Sequence, residues 1–278
     1  MPELPEVEVT RRGLAGSLEG AVIRDVVLGK PLRWPLGVDP SFLKGMRILQ
    51  VGRRGKYLLF ELDRGWLLGH LGMSGSLRWV PDAVDGGQPG KHDHVRVLTD
   101  RGALVMNDPR RFGALLFVQA LSQPPASRLL AGLGVEPLSD DFTVEVLTQG
   151  LAARQTAIKQ VLLKGDVVVG VGNIYASEAL FRARIHPATP ARQIPRRTVA
   201  ALHDAIVQVL VQALDMGGST LRNFSDLSGQ SGHFQTATQV YGRSGQACTV
   251  CGTPIERMVQ GQRATYFCRR CQPKPRGG

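Results

Sequence analysis

The tightest constraint on this chain lies at its C-terminal end. Its only four cysteines, Cys248, Cys251, Cys268 and Cys271, are spaced C-x2-C-x16-C-x2-C within the last 31 positions. Two matched pairs make two knuckles, which together offer four thiolates to one tetrahedral zinc ion. Four protein ligands leave no open coordination position, so one Zn2+ held here is structural and not catalytic. The residues between the pairs then form a hairpin that presents Arg263. On spacing alone, the simpler reading of Arg263 is a solvated surface charge. Cysteines confined in this way do not make a secreted disulfide scaffold.

The rest of the 278 residues suffices for about two domains with cores of their own. A net charge of +11 and a pI near 10.1 imply a polyanionic partner, nucleic acid first and an anionic membrane second. The excess is uneven: +5 over 1–132, zero over 133–240 and +6 over 241–278. A neutral middle segment that touches a polyanion must do so largely with backbone amides and a few placed side chains. No uninterrupted apolar run approaches the roughly 18 residues that span a bilayer, and the N-terminus is acidic and Pro-punctuated. The expectation is a soluble, cytoplasmic protein without a membrane partner.

Gly and Pro, 33 and 17 residues, favour short strands joined by turns. Leu4, Val7, Leu14 and Leu18 form a helical stripe just after Pro2. Short β-rich runs follow at 22–28, 57–62, 66–71, 95–99, 103–106 and 114–118, which predicts a sandwich or barrel. The stretch 132–141 reads as an interdomain linker, and beyond it the period becomes helical over 142–151, 156–164, 175–184 and 198–216. Between the second and third of these helices, Gly170-Val171-Gly172 allows a tight turn, and Asn173 is placed to cap the helix that follows. A Gly- and Ser-rich loop occupies 217–242.

If Met1 is removed, Pro2 becomes a free secondary amine at the head of a helix. An amine attacks only when neutral. Its reference pKa is about 7.7–8.0, and the positive helix end favours the neutral form further. Glu3 and Glu6 lie one turn apart on that helix and can flank the amine. A neutral amine beside a carboxylic acid can form a Schiff base with a sugar aldehyde. Composition alone supports a plainer reading, in which Pro2 starts a helix and the glutamates complement its dipole.

Longer strings change that balance. Met1-Pro2-Glu3-Leu4-Pro5-Glu6-Val7-Glu8, Gly55-Lys56-Tyr57-Leu58, His70-Leu71-Gly72-Met73-Ser74-Gly75, Lys91-His92-Asp93-His94, Asp108-Pro109-Arg110-Arg111-Phe112-Gly113 and Gly170-Val171-Gly172-Asn173-Ile174-Tyr175-Ala176-Ser177-Glu178 precede the cysteine knuckles. In this order, from residue 1 to about 272, the chain resembles the bacterial formamidopyrimidine-DNA glycosylases. The resemblance implies an α+β protein: an N-terminal helix and antiparallel β-sandwich over 1–132, a linker over 133–141, a helical domain with a helix-two-turn-helix over 142–240, a zinc hairpin over 241–273 and a tail over 274–278. It implies a monomeric base-excision-repair enzyme, nucleoid-associated when at work, whose partner is damaged double-stranded DNA. Such an enzyme excises oxidised purines and then cuts the abasic strand by β,δ-elimination.

The same resemblance assigns roles. Pro2 would be the nucleophile and Glu3 the proton donor, with Glu6 in support; Lys56 would serve β-elimination and Arg263 δ-elimination. Met73, Arg110 and Phe112 would enter the duplex as filler, partner of the orphaned base and wedge. His70, His92, Arg154, Lys159 and Asn173 would contact DNA. Ser219, Thr220, Leu221, Arg222, Asn223 and Phe224 would form the lesion-recognition loop. Two departures stand out. Lys164-Gly165 replaces the family's usual Asp and amide residue before the glycine turn, which predicts a turn short of one acceptor. Arg222 replaces a commoner Lys. Two rival readings remain: an endonuclease VIII-type glycosylase for oxidised pyrimidines, disfavoured by Leu4-Pro5 and by Met73, Arg110 and Phe112, and a non-catalytic zinc-ribbon DNA-binding protein, disfavoured by Pro2, Glu3, Lys56 and Arg263.

Overall fold

The computed structural model describes residues 2–81, 88–219 and 234–274. They fall into two compact units, the described residues of 2–131 with 216–219, and those of 132–215 with 234–274. The described residues 216–219, expected in the helical domain, belong to the first unit, where Glu6 accepts the amide and hydroxyl hydrogens of Ser219.

In the first unit, α1 (Leu4–Leu18) carries Glu3 as its N-cap. The expected stripe of Leu4, Val7, Leu14 and Leu18 is buried to within 1 %, and Val7, Leu14 and Leu18 pack into the sandwich core. On the flank of the helix, Glu8 receives Arg11 and Arg12 from its own helix and Arg53 from a strand at 3.0 Å. Burial opposes the Glu8 charge, but the three guanidinium groups outweigh it and hold the carboxyl at about 2. Apolar burial and this ion cluster fix α1 against the sheet.

Among the described residues eight strands follow: β1 (Ile23–Leu28), β2 (Ile48–Arg54), β3 (Tyr57–Leu62), β4 (Gly65–His70), β5 (Ser76–Pro81), β6 (Asp93–Thr99), β7 (Gly102–Asn107) and β8 (Ala114–Val118). They form two antiparallel four-stranded sheets, β1-β6-β7-β5 and β2-β3-β4-β8. Val26, Val97 and Leu104 of one sheet and Leu58, Phe60 and Leu67 of the other share one core with α1. Each side chain so buried contributes roughly 1.5–3 kcal/mol. A sandwich has two open ends where turns cluster, and residues 71–75 and 108–113 are two such turns. A short helix, α2 (Ala126–Leu130), closes the unit.

The second unit contains α3 (Val144–Ala152), α4 (Ile158–Lys164), α5 (Asn173–Arg182), α6 (Arg196–Asp215) and the hairpin β9 (Glu256–Gln260) with β10 (Arg263–Phe267). Thr143 caps α3, its hydroxyl accepting from the Val146 amide. Helix α6 is long and apolar enough to cross a membrane, but Val199, Leu202, Ile206, Val209 and Leu210 are buried, as in a core helix. Within the stretch expected to link the domains, Val135 bridges Val168, and Gly134 and Val135 donate to the carbonyls of Gly165 and Val167. The linker is therefore anchored on the second unit.

Candidate active site

The N-terminal end of α1 is built around carboxylates. Pro2, Glu3 and Glu6 are buried. Glu6, three residues into the helix, accepts the Glu3 amide hydrogen on Oε2 at 2.7 Å, one half of a capping box. Its other oxygen accepts from the Ser219 amide at 2.7 Å and the Ser219 hydroxyl at 2.8 Å. Gly218 makes this approach possible: its φ is +83°, and a Cβ there would sit 3.2 Å from Glu6 Oε1. One fully buried carboxylate thus joins the backbone beside Pro2 to the root of the expected recognition loop. Of that loop only Ser219 is described; Thr220, Leu221, Arg222, Asn223 and Phe224 lie outside the described residues.

Lys56 sits in the turn between β2 and β3, after Gly55 at φ +56°. Next to it Tyr57 pairs with His70 across β3 and β4, the rings 5.0 Å apart. His70 Nδ1 accepts from the Gly72 amide at 3.0 Å, which leaves the ring proton on Nε2. Burial, with the charges of Lys56 and Arg33 behind it, lowers the His70 pKa to about 4. His70 is therefore a neutral N–H donor at physiological pH, suited to a phosphate oxygen without adding charge.

Met73 and Phe112 stand in solvent, 42 % and 43 % exposed, on the two neighbouring turns. The Arg110 guanidinium lies 5.1 Å from the Phe112 ring centre. Beneath them Asp108, fully buried, accepts from the Arg110 and Gly113 amides and from the Ser74 hydroxyl. His92 is half-buried, and its carbonyl accepts the Asp108 amide hydrogen. The sequence reading gave no role to Asp108, although its buried position between Met73 and Phe112 marks it.

In the second unit the expected DNA contacts already have protein partners. Asn173 corrects an expectation: Gly172 is the N-cap of α5, and Asn173 is its first helical residue. Its Nδ2 instead donates to the Ala264 carbonyl on β10 at 3.0 Å, leaving Oδ1 buried without a hydrogen-bond partner. As the first residue inside the helix, Asn173 stands one position past the place from which its oxygen could cap. Lys159 is fully buried, its ammonium donating to the same carbonyl at 3.2 Å and to Thr265 Oγ1 at 2.7 Å. Arg154 donates to both Asp166 oxygens, at 2.8 and 3.0 Å, and Lys164 reaches Asp166 at 2.7 Å. The carboxylate nearest 164–165 is Asp166, which takes these two cations, and Gly165 closes α4 at φ +76°. Arg263 is exposed at the start of β10, after the Gly261-Gln262 turn, where both residues have positive φ.

The four cysteine sulfurs lie within 4.8 Å of one another, with Cys248 to Cys271 at 3.9 Å and Cys251 to Cys268 at 3.4 Å. Four thiolates about 2.3 Å from one tetrahedral ion lie about 3.8 Å apart, so these residues fit one zinc. Burial and the neighbouring thiols push Cys271 up to about 12, and a bound cation supplies the charge that lets all four ionise.

Comparison with known proteins assigns the family. Residues 1–115 match the formamidopyrimidine-DNA glycosylase N-terminal domain, 133–225 the H2TH domain of the same enzyme, and 245–274 the zinc finger found in FPG and IleRS. The formamidopyrimidine-DNA glycosylase of Variovorax paradoxus is 58 % identical over 272 residues, covering 98 % of this chain and all of that one.

The chain belongs to the formamidopyrimidine-DNA glycosylase family.

Its fold agrees with two solved members. The MutM (FPG) protein of Thermus thermophilus matches with a TM-score of 0.88 at 41 % identity, covering 99 % of this chain and 100 % of that one. A Lactococcus lactis FPG variant in complex with Fapy-dG-containing DNA matches at 0.90 and 35 %, covering 98 % and 100 %. The chain is accordingly a DNA-repair enzyme of the glycosylase/AP-lyase class. Within this glycosylase the first unit brings together Pro2, Glu3, Glu6 and Ser219 at one place and Met73, Arg110 and Phe112 at another. The second gathers Lys159, Asn173 and the start of β10.

Proposed function

We propose that this glycosylase flips oxidised purines, 8-oxoguanine and formamidopyrimidines, out of duplex DNA and excises them through an imine on Pro2. It then cleaves the abasic strand by β,δ-elimination. The observation that carries this reading is the buried N-terminus of α1, where Pro2 precedes a carboxylic acid whose backbone is held by a second carboxylate.

Removal of Met1 exposes the secondary amine. Its lone pair attacks C1′, and the C1′–N bond forms as the glycosidic bond breaks, the base leaving with its electron pair and taking up a proton. Glu3 protonates O4′, the sugar ring opens, and the nitrogen, having lost its proton, holds C1′ as an iminium. Loss of a C2′ proton then expels the 3′ phosphate, and a second elimination expels the 5′ phosphate. Lys56 and Arg263 are the donors for these two steps by their match to the family. The zinc takes no part in the chemistry; it keeps the strand that carries Arg263 folded. Preference for oxidised purines is supported by the Fapy-dG ligand of the Lactococcus lactis relative and by the exposed Met73, Arg110 and Phe112.

The test is borohydride trapping on a duplex with one 8-oxoguanine opposite cytosine, using protein whose N-terminus has been checked by mass spectrometry. A covalent adduct that maps to Pro2, and disappears in Pro2→Gly while lesion binding persists, is expected. Intact binding without an adduct, in protein lacking Met1, overturns the catalytic reading. Trapping on thymine glycol in preference to 8-oxoguanine overturns the substrate class.

A further inference from the structure

We propose that Asp108 is a positioning residue that locks the turn carrying Met73 and the loop carrying Arg110 and Phe112 into a single wedge. The inference rests on the preceding reading, that these three side chains enter the duplex.

Asp108 has no exposed surface. Its Oδ1 accepts from the Ser74 hydroxyl at 2.7 Å and from the Arg110 amide at 3.2 Å, and its Oδ2 from the Gly113 amide at 2.7 Å. Its carbonyl accepts from the Arg111 amide at 3.2 Å, and its own amide donates to the His92 carbonyl at 2.9 Å. One carboxylate therefore closes its own loop and reaches across to the residue after Met73. The two backbones also touch. Gly72 has φ +63°, and a Cβ on it would lie 2.4 Å from the Phe112 carbonyl carbon and 2.5 Å from the Gly113 nitrogen. Only glycine permits that contact.

This arrangement answers a physical need. Met73 and Phe112 are exposed, so neither tip is held by a core of its own. Side chains that must fill a hole in a base stack insert with less loss of freedom when their roots are already fixed. Asp108 fixes both roots at once, through charge-assisted hydrogen bonds to groups that cannot rearrange independently.

The experiment compares two substrates. Base release from an 8-oxoguanine:cytosine pair requires a stacked, paired nucleotide to be extruded, whereas cleavage at a preformed abasic site opposite cytosine does not. A loosened wedge slows the first much more than the second; a merely destabilised protein slows both alike. Asp108→Asn keeps the shape but turns an N–H donor toward donors, and kcat/KM for base release is expected to fall about tenfold more than kcat/KM for abasic cleavage. Ser74→Ala cuts only the link between the turns, with an expected differential loss of about threefold. In a Met73→Ala background the same Ser74→Ala change is expected to add nothing, because Ser74 acts through Met73. Equal losses on both substrates in Asp108→Asn, or an undiminished Ser74→Ala effect without Met73, overturn the proposal. If Asp108→Asn does not fold, the Ser74 and Met73 cycle decides alone. Met73→Ala with no effect on either substrate overturns instead the underlying reading that Met73 enters DNA.

Discussion

The two units hold the residues expected to meet DNA in opposite ways. In the first, acidic side chains are buried and grip polar hydrogens: Glu6 holds Glu3 and Ser219, and Asp108 holds Ser74, Arg110 and Gly113 while Met73 and Phe112 above it are left in solvent. In the second, the side chains that match DNA contacts are themselves engaged, Arg154 with Asp166, and Lys159 and Asn173 with the Ala264 carbonyl. A tip held at its root is usable as it stands. A side chain already holding an acceptor must exchange it or act through what it holds. The middle of the chain has no net charge, so it can afford few free cations, and backbone amides become its natural means of meeting phosphate.

The sharpest way to break this contrast is to remove zinc. Strand β10 supplies the acceptors of Lys159 and Asn173, and the cysteine cluster lies at its end. Binding of a structural zinc is itself folding free energy, on the order of 10 kcal/mol. Chelation is therefore expected to unfold the hairpin, take two acceptors from a buried ammonium and weaken DNA binding about a hundredfold or more, while the sandwich core melts as before. Titration with a chelator, followed by DNA affinity and by the fluorescence of the tryptophans, all of which lie in the first unit, checks this. Full affinity in zinc-free protein would show that the second unit does not depend on the brace.

Within the first unit, His70 sharpens the comparison through pH. Its folded pKa of about 4 lies below the ordinary 6.5, so between these values the unfolded chain binds a proton that the folded chain refuses. Stability from this group is complete above pH 6.5 and is lost as the pH falls toward 4, by roughly 3 kcal/mol in all. Denaturant midpoints from pH 7 to pH 4 are expected to fall, and to fall less steeply in His70→Gln. Parallel slopes would mean that His70 is not the group responsible.

What could be read from the chain alone follows from the range of the forces involved. The stripe of α1 and the cysteine pairs are local patterns, and both hold in the structure. Strand β2 went unseen because a bulge between Ile48 and Gln50 breaks its alternation, leaving a burial pattern with no period of two. The capping role expected of Asn173 fails for a different reason: the helix starts one residue earlier than the pattern suggests, at the Gly172 cap, and the acceptor of the Asn173 amide group, Ala264, lies 91 positions away. Glu6 and Ser219, 213 positions apart, were each named, but their bond was invisible until the fold closed it. Asp108 lies inside the string Asp108 to Gly113, but its task depends on Ser74, 34 residues earlier, which no local pattern shows.

Asp166 gives the smallest predicted effect and the one whose sign discriminates most. It lies where Arg154 and Lys164 converge, and although burial opposes its charge, those two cations hold its pKa below the usual carboxylate range. If the engaged state of Arg154 is a reserve that phosphate must win from Asp166, then Asp166→Asn lowers the competition. Affinity for duplex DNA should rise about threefold, and its salt dependence should steepen by up to about one released counterion. Stability should change by no more than about 1 kcal/mol, since Arg154 and Lys164 are partly or largely exposed. If Arg154 acts through what it holds, the reverse follows. Its guanidinium also donates to the Gly150 carbonyl at the end of α3, and without Asp166 the link it makes from α3 to the residues after α4 is cut, so affinity falls. A salt titration of wild type and Asp166→Asn therefore reads out directly whether this cation is stored for DNA or spent on that link.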